Sequence, residues 1–363
     1  MEGKNMMDKI NDFLISMQSV KVKEKLVFYR LLSTMTNAGL SLIKSIVVLR
    51  DQEKNPVFKR ILSVFIIELK GGKTLSECLS MYPGSFSDDE IGIIGSGEKT
   101  GKLNEVLIDL ADQIEKVSSI SGKLKSAMIY PAFIMVVVTG VIMIMMVVVV
   151  PKLLDIFEDK SALPLSTQVL IGVSDFLLAY WYLIVIFLIS AVIFVKIWKK
   201  TPGGKYLYDN FMFKIPIFGN MTQKLILSRF SRVLSGLIGS GVSIIGAFQI
   251  VSESVGNEVY RQRILLLKED VAQGIKIWEA LDGDKLFPPM MVQMIQVGEQ
   301  TAKLDKTILK VADFYDEEVD NMIATLNKLL EPMIIVFLAV VVGGIAMAIM
   351  QPIMNLADTV SQK

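Results

Sequence analysis

The chain has 363 residues, 52% hydrophobic and 21% charged, with a mean hydropathy of +0.51. Its 38 Lys and Arg against 37 Asp and Glu leave a net charge of +1, which argues against a nucleic-acid binder with its strong basic excess. No His is present and Cys78 stands alone, so imidazole-based nucleophiles, His-ligated zinc, intrachain disulfides and paired-cysteine sites are excluded.

In chain order, residues 1–24 lack the continuous apolar core of a signal peptide. Ile10, Phe13, Leu14 and Met17 recur at helical spacing, which predicts a short amphipathic segment. Residues 25–125 read as a domain of several short helices. Phe28, Leu31, Leu32, Met35, Leu42 and Ile46 recur at three and four, and no stretch alternates with period two. Gly39 ends one helix and Ser41 caps the next, while Gly71–Gly72, Asn55–Pro56 and Tyr82–Pro83–Gly84 are turns.

No charged residue lies between Lys125 and Lys152, and 130–151 is long enough to cross about 30 Å of hydrocarbon at ~1.5 Å per residue. A second span is predicted at 176–196, uncharged as far as Lys196, with Tyr180, Trp181 and Tyr182 near one end and Trp198 beyond the other, as at membrane interfaces. A third span is predicted at 332–352. Pro131 and Pro332 stand where the first and third spans begin, in a first helical turn where a missing amide costs nothing. The loop 152–175 holds two Lys against four acids, whereas Lys116, Lys123 and Lys125 precede the first span and Lys196, Lys199 and Lys200 follow the second. The positive-inside rule then places the N-terminus and the second polar region, 197–328, in the cytoplasm, with 152–175 and the tail 353–363 outside.

The second half repeats the first. At an offset of 202, Phe28, Arg30, Leu32, Ser33, Gly39 and Ser41 meet Phe230, Arg232, Leu234, Ser235, Gly241 and Ser243. At an offset of 201, Gly97, Glu98, Thr100, Lys102 and Leu103 meet Gly298, Glu299, Thr301, Lys303 and Leu304. Asp112, Pro131 and Pro151 likewise meet Asp313, Pro332 and Pro352.

Two segments imitate phosphate loops. Residues 71–74 have Ile67 where a leading Gly is needed, and 95–102 have one residue too many after Gly95 and are followed by Leu103 where Ser or Thr is needed. The box around Glu98 and Glu299 is the sharpest feature. It reads as a joint between helices in which a glycine ends one helix and the glutamate bonds backbone amides. The alternative is a carboxylate shared across an interface, binding a cation with Asp112 or Glu115. Asp313, Asp316, Glu317 and Asp320 form an acidic helical face, read as solvated, or as a docking surface for a basic partner.

These residues resemble one family. The repeated aromatic–x–x–Leu…Gly–x–Ser signature at Phe28–Ser41 and Phe230–Ser243, the Gly–Glu–x–Thr–x–Lys–Leu box and the Tyr130–Pro131 and Glu331–Pro332 junctions look like the inner-membrane platform proteins of type II secretion and type IV pilus machines (the GspF/PilC family). Ser87 and Ala302 depart from the pattern. The resemblance implies an all-α membrane protein with two tandem helical-bundle domains and three spans, in a bacterial inner membrane. It implies no enzyme activity and no cofactor. The implied partners are a hexameric assembly ATPase, pilin or pseudopilin subunits, other inner-membrane assembly components, the lipid bilayer and further copies of the chain in a homo-oligomer. The candidate structural and interface residues are Gly97, Glu98, Gly298, Glu299, Pro131 and Pro332. A small oligomeric transporter or channel subunit is the rival reading.

Overall fold

A computed structural model describes residues 20–149, 164–199, 201–216 and 218–361. The amphipathic segment expected at 1–24 lies almost wholly outside these residues, as does the part 152–163 of the loop expected at 152–175; the remainder is helical from Leu165, ahead of the start expected for the second span at 176. Among the described residues every regular element is a helix. The first repeat comprises α1 (Val22–Asn37), α2 (Leu42–Gln52), α3 (Pro56–Lys70), α4 (Leu75–Ser80), α5 (Asp88–Thr100) and α6 (Leu103–Ile144). A π-helical turn, Met145–Val149, continues α6. Then come α7 (Leu165–Trp198) and α8 (Pro202–Lys214). The second repeat comprises α9 (Phe218–Gly239), α10 (Ile244–Ser254), α11 (Glu258–Ala272), α12 (Ile277–Leu281), α13 (Pro289–Gln300) and α14 (Leu304–Ser361). Elements α1 to α6 thus recur in order as α9 to α14.

The chain divides into two compact units, Met1–Ser121 with Lys205–Asp320, and Gly122–Gly204 with Asn321–Lys363. The first unit holds both repeats around a continuous core. Matched aromatic side chains fill it. Phe28 packs edge-on against Phe58, and in the second repeat Phe230 and Tyr260 pack edge-on against Phe287. The turns follow from local chemistry. Gly39 and Gly241 adopt φ of 87° and 93°, open to glycine at no steric cost, and Ser41 and Ser243 cap the helices that follow.

One buried polar cluster is confined to the first repeat. Lys25 pairs with Glu90, and Tyr29 donates its hydroxyl to the same carboxylate at 2.8 Å. Burial pushes the Glu90 carboxyl above its usual range, against the opposing pull of Lys25, and burial with the neighbouring Glu90 charge holds the Tyr29 phenol well above its own. The positions equivalent to Lys25, Tyr29 and Glu90 are Leu227, Ser231 and Met291, so the second repeat fills the same place without a charge.

Three helices are long and apolar enough to cross a membrane, over Leu103–Val148, Leu178–Trp198 and Leu304–Ala348, the first and third beginning in residues of the first unit. Two of them also differ from the sequence-based expectation. Pro131 and Pro332 do not open a helix. Each lies inside an unbroken one, α6 of 42 residues and α14 of 58 residues. The stretch ahead of each proline is already helical because its apolar face, Leu107, Leu110 and Ala111 or Ile308, Val311 and Ala312, is buried in the first unit. A helix so nucleated continues into the apolar run, and proline removes one rung, the bond to the carbonyl of Ala127 or Lys328, without starting a new helix.

The far proline of α14 has a different consequence. An i→i+4 bond to the carbonyl of Ala348 needs the amide of residue 352, which is proline. Helix α7 supplies the missing donor, and a second hydroxyl reaches the π-helical turn. Thr167 Oγ1 donates to Ala348 O at 2.6 Å, and Ser174 Oγ donates to Met146 O at 2.6 Å. The two hydroxyls are seven residues apart, two turns on one face of α7. In hydrocarbon such interhelical bonds are worth about 1 kcal/mol. We expect Ser174→Ala to lower the thermal midpoint of the full chain in detergent by a few degrees and Ser190→Ala, whose hydroxyl bonds its own helix at Phe187 O, to leave it unchanged.

Candidate functional site

Residues Ser96, Gly97 and Glu98 are consecutive, and each reaches a different neighbour of α5. The Glu98 carboxylate turns to the start of α4, where it accepts from the amides of Leu75 and Ser76 at 2.5 and 3.1 Å and from the Ser76 hydroxyl at 2.6 Å. A six-residue helix cannot stand alone, and its first amides have no intrahelical acceptor. A carboxylate placed there meets both the donors and the positive end of the helix dipole. Gly97 faces α6, where a Cβ would stand 2.9 Å from Val106 Cγ2. Only a bare backbone lets the two helices approach so closely. Ser96 turns to the second repeat and donates its hydroxyl to Ser240 O at 2.6 Å.

Glu299 and Gly298 reproduce the first two contacts. The Glu299 carboxylate accepts from the amides of Ile277 and Trp278 at 3.0 and 3.1 Å, at the start of α12. A Cβ on Gly298 would stand 2.1 Å from Thr307 Oγ1 and 3.0 Å from Leu304 Cα of α14. The two caps are not equal. Thr74 and Glu77 add a capping box to α4, whereas Lys276 at the same place gives α12 no side-chain cap. Glu299 therefore carries more of its helix than Glu98 does.

Gly97 and Gly298 lie within their helices. The residues that end them are Gly101, at φ 72°, and Ala302, at φ 54°. Each closes with the amide of the following lysine, Lys102 or Lys303, donating back to the carbonyl of Gly97 or Gly298. A left-handed alanine costs roughly 1 kcal/mol where glycine costs nothing. Ala302→Gly should therefore raise stability by about that amount, read as a higher urea midpoint in pulse proteolysis of the full chain, and Gly101→Ala should lower it similarly.

The cation reading of Glu98 with Asp112 or Glu115 gives way to a simpler arrangement. The Glu98 oxygens are taken by α4, and Asp112 and Glu115 both pair with Arg30, at 2.5 and 2.7 Å. No carboxylate cluster suited to a metal is present among the described residues. The acidic face of α14 is also only partly solvated. Asp316 is buried and pairs with Arg232 and the Ser228 hydroxyl, and Asp313 joins the same guanidinium at 3.1 Å. The reason is that Arg232, matched to Arg30, is itself buried and requires acids beside it. These two arginine networks were not singled out as a site from sequence, although both partners recur at the repeat offset. The Lys25–Glu90–Tyr29 cluster left no such signal, because only one copy has it.

Neither phosphate-loop imitation has the form of a phosphate loop. Residues 95–100 are helical, and Lys73 pairs with Glu68 at 2.9 Å behind the turn that ends α3. A cleft of about 630 Å³ does lie within the first unit, between α6 of one repeat and α9 and α14 of the other. It is lined by Asp109, Asp112 and Gln113 facing Arg232, Ser235 and Asp313.

Comparison with known proteins bears on this architecture. The sequence profile of the family described as type II secretion system (T2SS), protein F matches residues 28–151 and again 230–352. A type IV pilus assembly protein PilC from Thermus thermophilus is 35% identical over 342 residues, 94% of this chain and 84% of the relative. The PilC of Pseudomonas aeruginosa is 32% identical over 94% of this chain and 92% of its own length. A type II secretion system protein F from Aeromonas hydrophila is 31% identical, over 97% and 91%. The chain belongs to the type II secretion system protein F family, in which each profile match begins at the α1 or α9 aromatic and runs to the proline after a span.

Proposed function

We propose that this chain is the inner-membrane platform of a type IV pilus or type II secretion machine, and that it couples a cytoplasmic assembly ATPase to the insertion of pilin or pseudopilin subunits into a growing filament. Family membership and the names of the relatives support a part in such a machine. The observation that carries the coupling is structural: each repeat's glutamate joint opens directly onto a helix, α6 or α14, that continues without a break into an apolar segment. Force applied to the soluble repeats has a stiff element to act on. The chain itself performs no ATP chemistry on this reading, and its other partners are the remaining inner-membrane components and further copies of itself. Deletion of the gene should abolish filaments or secretion while pilin still accumulates in the membrane, and normal filaments in the deletion strain would refute the role.

The orientation is part of the proposal: N-terminus and the region 200–325 in the cytoplasm, 155–172 and the tail outside. Ser161→Cys should react with an impermeant thiol reagent on whole cells, and Gln273→Cys only after lysis. Gln273 is exposed. Native Cys78 needs no replacement, because burial removes it from solvent and pushes its thiol up to about 11. Labelling of 273 but not 161 on intact cells would reverse the topology.

A further inference from the structure

The contact between the two repeats is made once within the chain, and the repeat itself implies a second place for it. Helix α5 of the first repeat lies on α9 and α10 of the second through small residues. A Cβ on Gly92 would stand 2.7 Å from Ile250 Cδ1, and one on Gly241 would stand 3.4 Å from Thr100 Cγ2. Between them Ser96 donates to Ser240 O. The inserting side is therefore Gly92, Ser96 and Thr100, and the receiving side is Ser240, Gly241 and Ile250.

The 201-residue offset carries the inserting side onto Gln293, Val297 and Thr301 of the α13 end. The 202-residue offset carries the receiving side onto Ala38, Gly39 and Val48 of α1 and α2. All six are exposed, Val297 by 48% and Val48 by 37%. Had the repeats been related by a twofold, both contacts would have formed inside one chain. Only one has, so the contact is head-to-tail and leaves an inserting face at one end of the chain and a receiving face at the other.

We propose that the α13 face of one chain seats on the α1–α2 face of a second copy, continuing the contact that already joins α5 to α9 and α10. Three observations select a second copy as occupant. The receiving face belongs to the same helical unit as the one already receiving α5, with the same Gly-terminated helix and Ser cap at Gly39–Ser41. Neither face carries a charge at these six positions, so nothing there repels. The sizes are exchanged in register: Gly92 against Ile250 becomes Gln293 against Val48, and Ser96 against Ser240 becomes Val297 against Ala38. Val297 has no hydroxyl to match the one that Ser96 donates to Ser240 O, so the interchain contact lacks that bond. Without the bare glycine at 92 the helices stand further apart, so the interchain contact is the weaker of the two. Confinement to a membrane compensates by raising effective concentration. This inference depends on the repeat and not on the motor coupling proposed above.

The test uses full-length chains in membranes. One carries Val48→Cys and one affinity tag, the other Gln293→Cys and a different tag, and a short bismaleimide links them. A dimer bearing both tags is expected from co-expressed chains, with no dimer from either variant alone, and the chain with both substitutions should give a ladder. A second pair, Ala38→Cys with Val297→Cys, should behave alike. Adding Val297→Lys to the Gln293→Cys chain should reduce the mixed dimer at least about tenfold at equal membrane abundance. Dimers of a single variant with itself, monomers only in both pairs, a mixed dimer indifferent to Val297→Lys, or adducts solely with a different protein would each overturn the proposal.

Discussion

Lys25→Leu or Glu90→Met alone should destabilise the first unit by about 3–5 kcal/mol, whereas the two together, with Tyr29→Phe, should leave it as stable as the natural chain or more so. A single change strands one charge or one polar partner in a place closed to water. Two of the three changes copy what the protein already contains at the equivalent positions of the second repeat, Leu227 and Met291, and Tyr29→Phe keeps a ring where Ser231 has none. The second repeat is thus an internal control for the first. The pH response gives an independent reading. The carboxyl of Glu90 is raised in the folded state, first by burial. A raised carboxyl contributes stability that is fully present below its unfolded value and lost as pH rises through its folded value. The natural chain should therefore lose some stability as pH rises from about 4, and the apolar triple variant should lack that component. Urea midpoints from pulse proteolysis of the full chain at several pH values measure both effects.

Glu299→Ala should insert normally and yet support few filaments, with Glu98→Ala less severe. A charged hydrogen bond at a partly buried site is worth about 1.5–3 kcal/mol. Glu98→Ala leaves α4 with Thr74 as its cap, but Glu299→Ala leaves α12, five residues long, with no side-chain cap among the groups that hold it now. Gln at either position keeps one acceptor and should restore part of the yield. Lys73→Ala and Lys102→Ala serve as controls, since neither side chain holds the joint. Filament yield beside membrane abundance is the measurement, together with nucleotide binding to the purified chain. Equal filament yield in all four variants would remove the joint from the mechanism. Tight, magnesium-dependent ATP binding lost in Lys73→Ala would make the chain an enzyme.

What could be read without coordinates was what recurs. The glycine turns at 39 and 241, the serine caps behind them and the paired glutamates each appear twice in the sequence, and each has one local physical reason that spacing alone conveys. Helix ends marked by proline misled, because Pro131 and Pro332 look like starts only if the preceding residues are not already helical. The tertiary packing of Leu107, Leu110 and Ala111 decides that, and periodicity within α6 does not reveal how far the buried stripe extends. The acidic face of α14 misled for a related reason. Four acids at helical spacing look solvated until Arg232, more than 80 residues away, is seen to need two of them. Gly92 was passed over because its partner, Ile250, is fixed only by how the two repeats meet.

Thr167 places a condition on how members of this lineage can change. Proline at 352 is harmless to α14 only while a hydroxyl at 167 takes up the carbonyl it frees, and that hydroxyl has a task only while the proline stays. Positions 185 residues apart are thereby bound in a pairwise dependence: either change alone is harmful, and both together approach neutrality. Divergence of the three spans should accordingly proceed by paired exchange, proline and hydroxyl lost together or kept together, even where hydropathy permits almost any apolar substitution between them.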